Sequence, residues 1–139
     1  MVRTVAVGTD GSATAAEAVK AATEMARRFD AELVLLGAFQ DSGRSAGGGD
    51  PELQWASSPE ARLREILDRT EAELRRSGLE CRTMTDEGDP AEVLVQLAES
   101  CQADVLVIGN KGMHRRVLGS VPNTVTHRAP CSVFVVKTT

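Results

Sequence analysis

The chain has 139 residues, of which 42% are hydrophobic, and its 16 lysine and arginine residues are outnumbered by 20 aspartate and glutamate residues. The net charge of −4 gives no overall positive field for nucleic-acid phosphates or anionic lipid, and an aromatic content of 3% leaves few side chains on which bases could stack. We therefore expect one domain, residues 1–139, with neither nucleic acid nor a membrane as a partner.

The cellular location is indicated by the apolar runs and the cysteines. No run approaches the roughly 20 consecutive apolar residues that cross a bilayer, and residues 1–3 lead directly into a strand-like segment without a signal-peptide core. Cys81, Cys101 and Cys131 are odd in number and widely spaced, which favours reduced thiols over a disulfide framework. The sequence therefore predicts a cytoplasmic protein.

The first elements are a strand and an amphipathic helix. Residues 4–7 (TVAV) are typical of a short strand, and the turn sequence GTDGS at residues 8–12 follows at once. Ser12 can cap a helix over residues 13–29, in which five apolar residues recur at helical spacing: Ala15, Val19, Ala22, Ala26 and Phe29. Residues 33–36 are the second predicted strand.

The next segment is predicted to be a long mobile loop. Residues 40–58 are rich in glycine, serine and aspartate and show no sustained period. Its one large apolar side chain, Trp55, is expected to pack the loop onto the body of the protein, with a lid over a ligand as the alternative. Ser58, Pro59 and Glu60 then begin a helix that Gly78 ends.

The second half of the chain alternates strands and helices. A third strand is predicted over residues 80–85, a helix from Asp89 and Pro90, and further strands at 105–108 and 133–136. The last two are continuous apolar runs, which are typical of strands covered on both faces. The pattern predicts an α/β fold with an open, five-stranded parallel sheet and helices on both faces.

Two glycine-containing loops are expected to meet at the carboxyl ends of the central strands. One is residues 8–12 and the other is residues 109–112, which continue to Gly119, Ser120 and Val121. Glycines let a backbone approach a phosphate, and a helix that begins at Ser120 would direct free N–H groups toward an anion, while Asp10 suits a ribose. Each of these residues could also have a purely structural role, since turns often contain glycine and an aspartate often only caps a helix.

These segments carry a resemblance to the universal stress protein family that extends over residues 2–137. The matching stretches are VAVGTDGS at residues 5–12, DVLVIGNKG at 104–112, LGSVP at 118–122 and HRAPC at 127–131. The resemblance implies a Rossmann-like sandwich with strand order 3-2-1-4-5, usually as a homodimer, with ATP bound in one branch of the family and no nucleotide in the other.

The resemblance also implies a set of nucleotide-binding residues. ATP-binding members carry G-x2-G-x9-G-(S/T), in which Gly109 and Gly112 match the first two glycines and Gly119 with Ser120 the last pair. Asp10 matches the acidic residue at the ribose, and the main chain at Ala38 matches the position at the adenine edge. The candidate site is therefore Thr9, Asp10, Ala38, Gly109, Asn110, Lys111, Gly112, Gly119, Ser120 and Val121.

One departure concerns the phosphate loop. Six residues, 113–118, separate Gly112 from Gly119, where the family pattern has nine. The shorter loop could draw Gly119 and Ser120 away from the phosphates, or it could tighten between anchors that stay in place. The loop also holds a basic group, Lys111, His114, Arg115 and Arg116, which either neutralises a triphosphate or is ordinary surface charge.

The sequence offers no catalytic or metal-binding constellation. No Ser-His-Asp order or metal-spaced group is legible, and His127 precedes Pro130 as expected of a structural histidine. Our leading hypothesis is a regulator that binds ATP, with or without Mg²⁺, and is at most a weak ATPase. Cyclic AMP or AMP is the alternative ligand, and a nucleotide-free dimer the alternative function. A homodimer is expected to form through Ser132–Lys137, an apolar edge strand.

Overall fold

The computed structural model describes residues 1–41, 51–110 and 118–137. The strands in these ranges are β1 (Thr4–Gly8), β2 (Glu32–Phe39), β3 (Cys81–Glu87), β4 (Val105–Asn110) and β5 (Ser132–Lys137). The helices are α1 (Ala13–Phe29), α2 (Pro51–Ala56), α3 (Pro59–Arg76), α4 (Pro90–Ser100) and α5 (Ser120–Arg128). None of the described helices is long and apolar enough to cross a membrane.

The described strands form one parallel sheet of five, in the order β3-β2-β1-β4-β5. This confirms the predicted fold class, including the strand order that the resemblance implied. β1 lies at the centre, with Val5 in register with Leu33 of β2 and with Val105 of β4. The chain therefore leaves β1 toward one edge of the sheet and later returns to the other side of β1.

Helices cover both faces of the sheet because successive strand residues point to opposite sides. Val5 and Val7 of β1 pack with residues of α1 and α3 in one core, while Ala6 packs with residues of α4 and α5 in the other. The central strands are buried on both faces, which explains their continuous apolar runs.

The predicted helix starts are confirmed, but the buried stripe of α1 differs from the prediction. The Ser12 hydroxyl accepts the Ala15 N–H and caps α1, and Ser58 caps α3 in the same way. The buried residues of α1 are alanines 15, 18, 22 and 26, whereas Phe29 is 49% exposed. Phe29 is the last helical residue, beside the left-handed Asp30 at which the chain turns toward β2.

Two further expectations were wrong in part. Residues 51–56, which we assigned to a mobile loop, form helix α2, where Pro51 occupies the first position and Trp55 is 58% exposed instead of packed. Residues 42–50 of that loop lie outside the described residues. The last strand is not covered on both faces, because no residue of β5 is fully buried and Phe134 is 45% exposed.

Candidate functional site

A cavity of about 400 Å³ lies at the carboxyl ends of β1 and β4, where the order of the strands reverses. We call it the switch-point cavity. Open parallel sheets bind ligands at this position, in cavities of about 300–1,000 Å³. Its walls come from β1, β2, β4 and from the starts of α1, α4 and α5: Gly8, Thr9, Asp10, Ser12, Thr14, Ala15, Leu36, Ala38, Pro90, Leu94, Ile108, Gly109, Asn110, Gly119, Ser120, Val121 and Pro122.

The turn after β1 is held by its own polar side chains. The Thr9 N–H donates to the Leu36 carbonyl at 2.9 Å, which ties the turn to β2, and the Thr9 hydroxyl accepts the Gly11 N–H at 3.2 Å. Gly11 adopts a φ of +83°, where a side chain would be strained. The Asp10 carboxylate accepts the Ser12 N–H at 2.9 Å. These contacts fix the turn and leave the exposed Asp10 at the rim of the cavity.

Gly109 is required by the packing of α1 against β4. A Cβ at this position would lie 2.7 Å from Thr14 Cγ2 and 2.8 Å from the Thr14 carbonyl oxygen, closer than such atoms approach in proteins. The absence of a side chain therefore lets the first turn of α1 meet the end of β4. This role is structural, and it accounts for the first glycine of the pattern without reference to a phosphate.

Asn110 connects the end of β4 to the start of α5. Its side chain is fully buried, and its Oδ1 accepts the Gly119 N–H at 2.9 Å. The hydrogen bond spans nine residues of sequence and joins the two ends of the shortened loop. Gly119 has consequently not been drawn away from β4, and both Gly119 and Ser120 line the switch-point cavity.

Helix α5 begins at the cavity without a side-chain cap. Gly119 is the N-cap residue and supplies no side-chain acceptor, so the first-turn N–H groups are not capped by it. The start of a helix carries a partial positive charge, and unsatisfied N–H groups there attract anions. Ser120 and Val121 follow Gly119 at the cavity wall, and this is the end of the cavity that suits an anion.

The structure brings most of the predicted site residues together. Eight of them line one cavity: Thr9, Asp10, Ala38, Gly109, Asn110, Gly119, Ser120 and Val121. Lys111 and Gly112, together with His114, Arg115 and Arg116, lie outside the described residues. Sequence reasoning missed the apolar wall formed by Leu36, Pro90, Leu94 and Ile108, although the apolar ends of β2 and β4 were a usable signal for two of these four.

The cysteines and His127 lie outside the switch-point cavity. Burial raises the pKa of the Cys81, Cys101 and Cys131 thiols, which keeps them protonated at neutral pH, and none of them lines the switch-point cavity. His127 is exposed on the last turn of α5 and is likewise absent from the cavity wall. No group of three or more potential metal ligands occurs among these residues.

Comparison of the whole chain with known proteins identifies relatives of similar sequence and structure. The model of the universal stress protein family matches residues 1–137. Universal stress protein Rv1636 of Mycobacterium tuberculosis is 35% identical, over 99% of this chain and 97% of its own length. Universal stress protein MJ0531 of Methanocaldococcus jannaschii is 33% identical, over 96% and 81%. A universal stress protein crystallised in complex with cAMP is 29% identical, covers 99% of both chains and superposes with a TM-score of 0.76.

Proposed function

Because the chain belongs to the universal stress protein family, we propose that it is a stress-response regulator that binds an adenine nucleotide in the switch-point cavity. The observation that carries the proposal is the joint placement of Asp10, Ala38 and the start of α5 around one cavity of about 400 Å³. This arrangement offers an apolar surface for a base, an acceptor for a ribose and a helix end for a phosphate.

Each part of the nucleotide has a matching part of the cavity. The adenine packs against the apolar wall near Leu36 and Leu94 and meets the main chain at Ala38. The ribose hydroxyls donate to the Asp10 carboxylate, whose two oxygens can together accept several hydrogen bonds. The phosphate lies at Ser120 and Val121, where N–H groups and the helix dipole favour negative charge.

Two adenine nucleotides that differ in their number of phosphate groups are candidates for the ligand. The family pattern predicts ATP, with or without Mg²⁺, and the retained position of Gly119 and Ser120 supports binding at this end. Cyclic AMP is the second candidate. It is favoured by the related structure in complex with cAMP and by a phosphate loop three residues shorter than the ATP pattern.

We further propose that occupancy of the cavity, rather than turnover, is the output of the protein. Asp10 is the only titratable side chain on the described cavity wall, and we assign it to the ribose, so we expect hydrolysis to be weak. A homodimer through β5 would carry the signal to a partner, since this edge strand exposes Phe134 and unpaired backbone groups. The proposal is for one cytoplasmic domain that spans residues 1–139.

The proposal is tested by calorimetric titration with ATP, cyclic AMP, AMP and adenosine. We expect saturable binding of at least one adenine nucleotide, with affinity reduced in Asp10→Ala. Asp86→Ala is the matched control, because Asp86 is also an exposed aspartate at a carboxyl strand end that accepts one backbone N–H, and it does not line the cavity. Absence of heat with every ligand at millimolar concentration would leave the nucleotide-free interaction protein as the function.

A further inference from the structure

Asn110 stands apart from the other residues of the switch-point cavity because it is a fully buried amide. Its Oδ1 accepts the N–H of Gly119, nine residues later, at 2.9 Å. A hydrogen bond to a buried amide is electrostatically stronger than one in water, and loss of the Asn110 acceptor leaves the part-buried Gly119 N–H without this bond. The bond therefore fixes where the chain re-enters the fold after the shortened loop.

The position of Gly119 decides where the donors of α5 point. Pro122 has no N–H, and the Asn123 N–H donates to the Gly119 carbonyl at 3.0 Å. With the Gly119 N–H bound to Asn110, the first-turn donors that remain are the N–H groups of Ser120 and Val121, which have no hydrogen-bond partner among the described residues. Two adjacent N–H groups and the Ser120 hydroxyl are a set that suits a single phosphate group.

We propose that Asn110 is a positioning residue that acts through Gly119 to direct the Ser120 and Val121 N–H groups at one phosphate group of the ligand. The inference rests on the proposed nucleotide function and adds the residue that sets its phosphate end. Asn110 keeps the start of α5 at the end of β4 although the loop is three residues shorter than the family pattern. It contributes to affinity for the phosphate and not to affinity for the nucleoside.

The first test measures the hydrogen bond between Asn110 and Gly119 without any nucleotide. Asn110→Leu removes the acceptor at similar volume, and Asn110→Asp keeps an oxygen in reach of Gly119. Amide hydrogen exchange at Gly119, followed by NMR, should accelerate about tenfold or more in Asn110→Leu and stay slow in Asn110→Asp. Asn123→Ala is the control, because Asn123 is an exposed asparagine on the first turn of the same helix.

The second test separates positioning from general support of the fold. The ratio of the affinity for AMP to that for adenosine should fall about tenfold in Asn110→Leu, with the affinity for adenosine unchanged. In Asn110→Asp, where an oxygen still accepts the Gly119 N–H, the ratio should fall less than in Asn110→Leu. The Asn123→Ala ratio should equal that of the unmodified protein.

The outcomes that overturn the inference differ from those that overturn the function. Unchanged Gly119 exchange in Asn110→Leu, or equal losses for AMP and adenosine, would remove the positioning role while nucleotide binding stands. If the unmodified protein binds no nucleotide but Gly119 exchange depends on Asn110, the proposed function fails and the bond supports only the fold. If Asn110→Leu does not fold, Asn110→Ala takes its place, and an AMP to adenosine ratio equal to that of the unmodified protein refutes the inference.

Discussion

Gly109 and Gly119 belong to one glycine pattern but should respond differently to alanine. At Gly109 the new Cβ would lie 2.8 Å from the Thr14 carbonyl oxygen, and this oxygen belongs to the backbone of α1 and cannot rotate away. At Gly119 the same carbon would lie 3.4 Å from Asn110 Oδ1 and 3.6 Å from Pro122 Cδ, which are ordinary contacts. The φ of −63° at Gly119 is also one that alanine adopts without strain.

The magnitudes follow from these distances. Overpacking of this kind costs about 1–3 kcal/mol, and we expect Gly109→Ala to lower the free energy of unfolding by about 2 kcal/mol, because α1 must move away from β4. In a domain of this size, that loss lowers the melting temperature by roughly 6–10 °C. Gly119→Ala should change the free energy of unfolding by less than about 0.5 kcal/mol, since the weaker N-cap and the smaller unfolded-state entropy nearly cancel.

Urea unfolding followed by far-ultraviolet circular dichroism measures both variants. The background variant Thr14→Ser removes Cγ2, so Gly109→Ala made in that background should recover part of its loss, with the remainder due to the carbonyl oxygen. Equal unfolding midpoints for Gly109→Ala and Gly119→Ala would refute the assignment of Gly109 to helix packing.

Three further predictions concern other parts of the molecule. Asp10→Ala should weaken adenine-nucleotide binding by about 1–3 kcal/mol without loss of fold. If calorimetric titration gives the variant the same nucleotide affinity as the unmodified protein, Asp10 is not part of the site. The Arg3 and Thr4 N–H groups that donate to Asp104 lower the pKa of its carboxyl below 3.8, so its stabilising effect is complete only well above that value and is lost as the pH falls through the folded-state pKa. The advantage in unfolding free energy over Asp104→Asn should thus shrink from about pH 5 downward, whereas a pH-independent difference would exclude this linkage. Phe134→Glu should convert the proposed β5 dimer to a monomer in sedimentation equilibrium, and a monomeric mass for the unmodified protein would contradict the dimer.

The fold was predictable because local signals and hydrophobic period agree along most of the chain. Ser12, Ser58 and Asp89 each mark a helix start in the sequence, and each side chain accepts a first-turn N–H in the structure. The central strands were legible as apolar runs because both of their faces are buried. The apolar runs of β4 and β5 look alike and do not by themselves distinguish a central strand from an edge strand. The strand order that the resemblance implied places β5 at the edge, and the structure confirms it.

The sequence predicted which loop residues form the candidate site, but it did not predict the contacts between them. Asp10, Gly119 and Ser120 could be assigned because strand ends converge at a known place in a parallel sheet. The contact of Gly109 with Thr14 and the bond of Asn110 to Gly119 depend on how α1 and α5 pack, which periodicity does not report. Gly109 therefore has a packing role that the sequence did not predict, in addition to its place on the cavity wall.

The most direct test of the account is an NMR titration of ¹⁵N-labelled protein with cyclic AMP and with ATP. The account predicts that saturable amide shift changes concentrate at Asp10, Ala38, Ser120 and Val121, around the switch-point cavity. Spectra that stay unchanged at millimolar nucleotide, or changes that concentrate on a different face of the sheet, would contradict it.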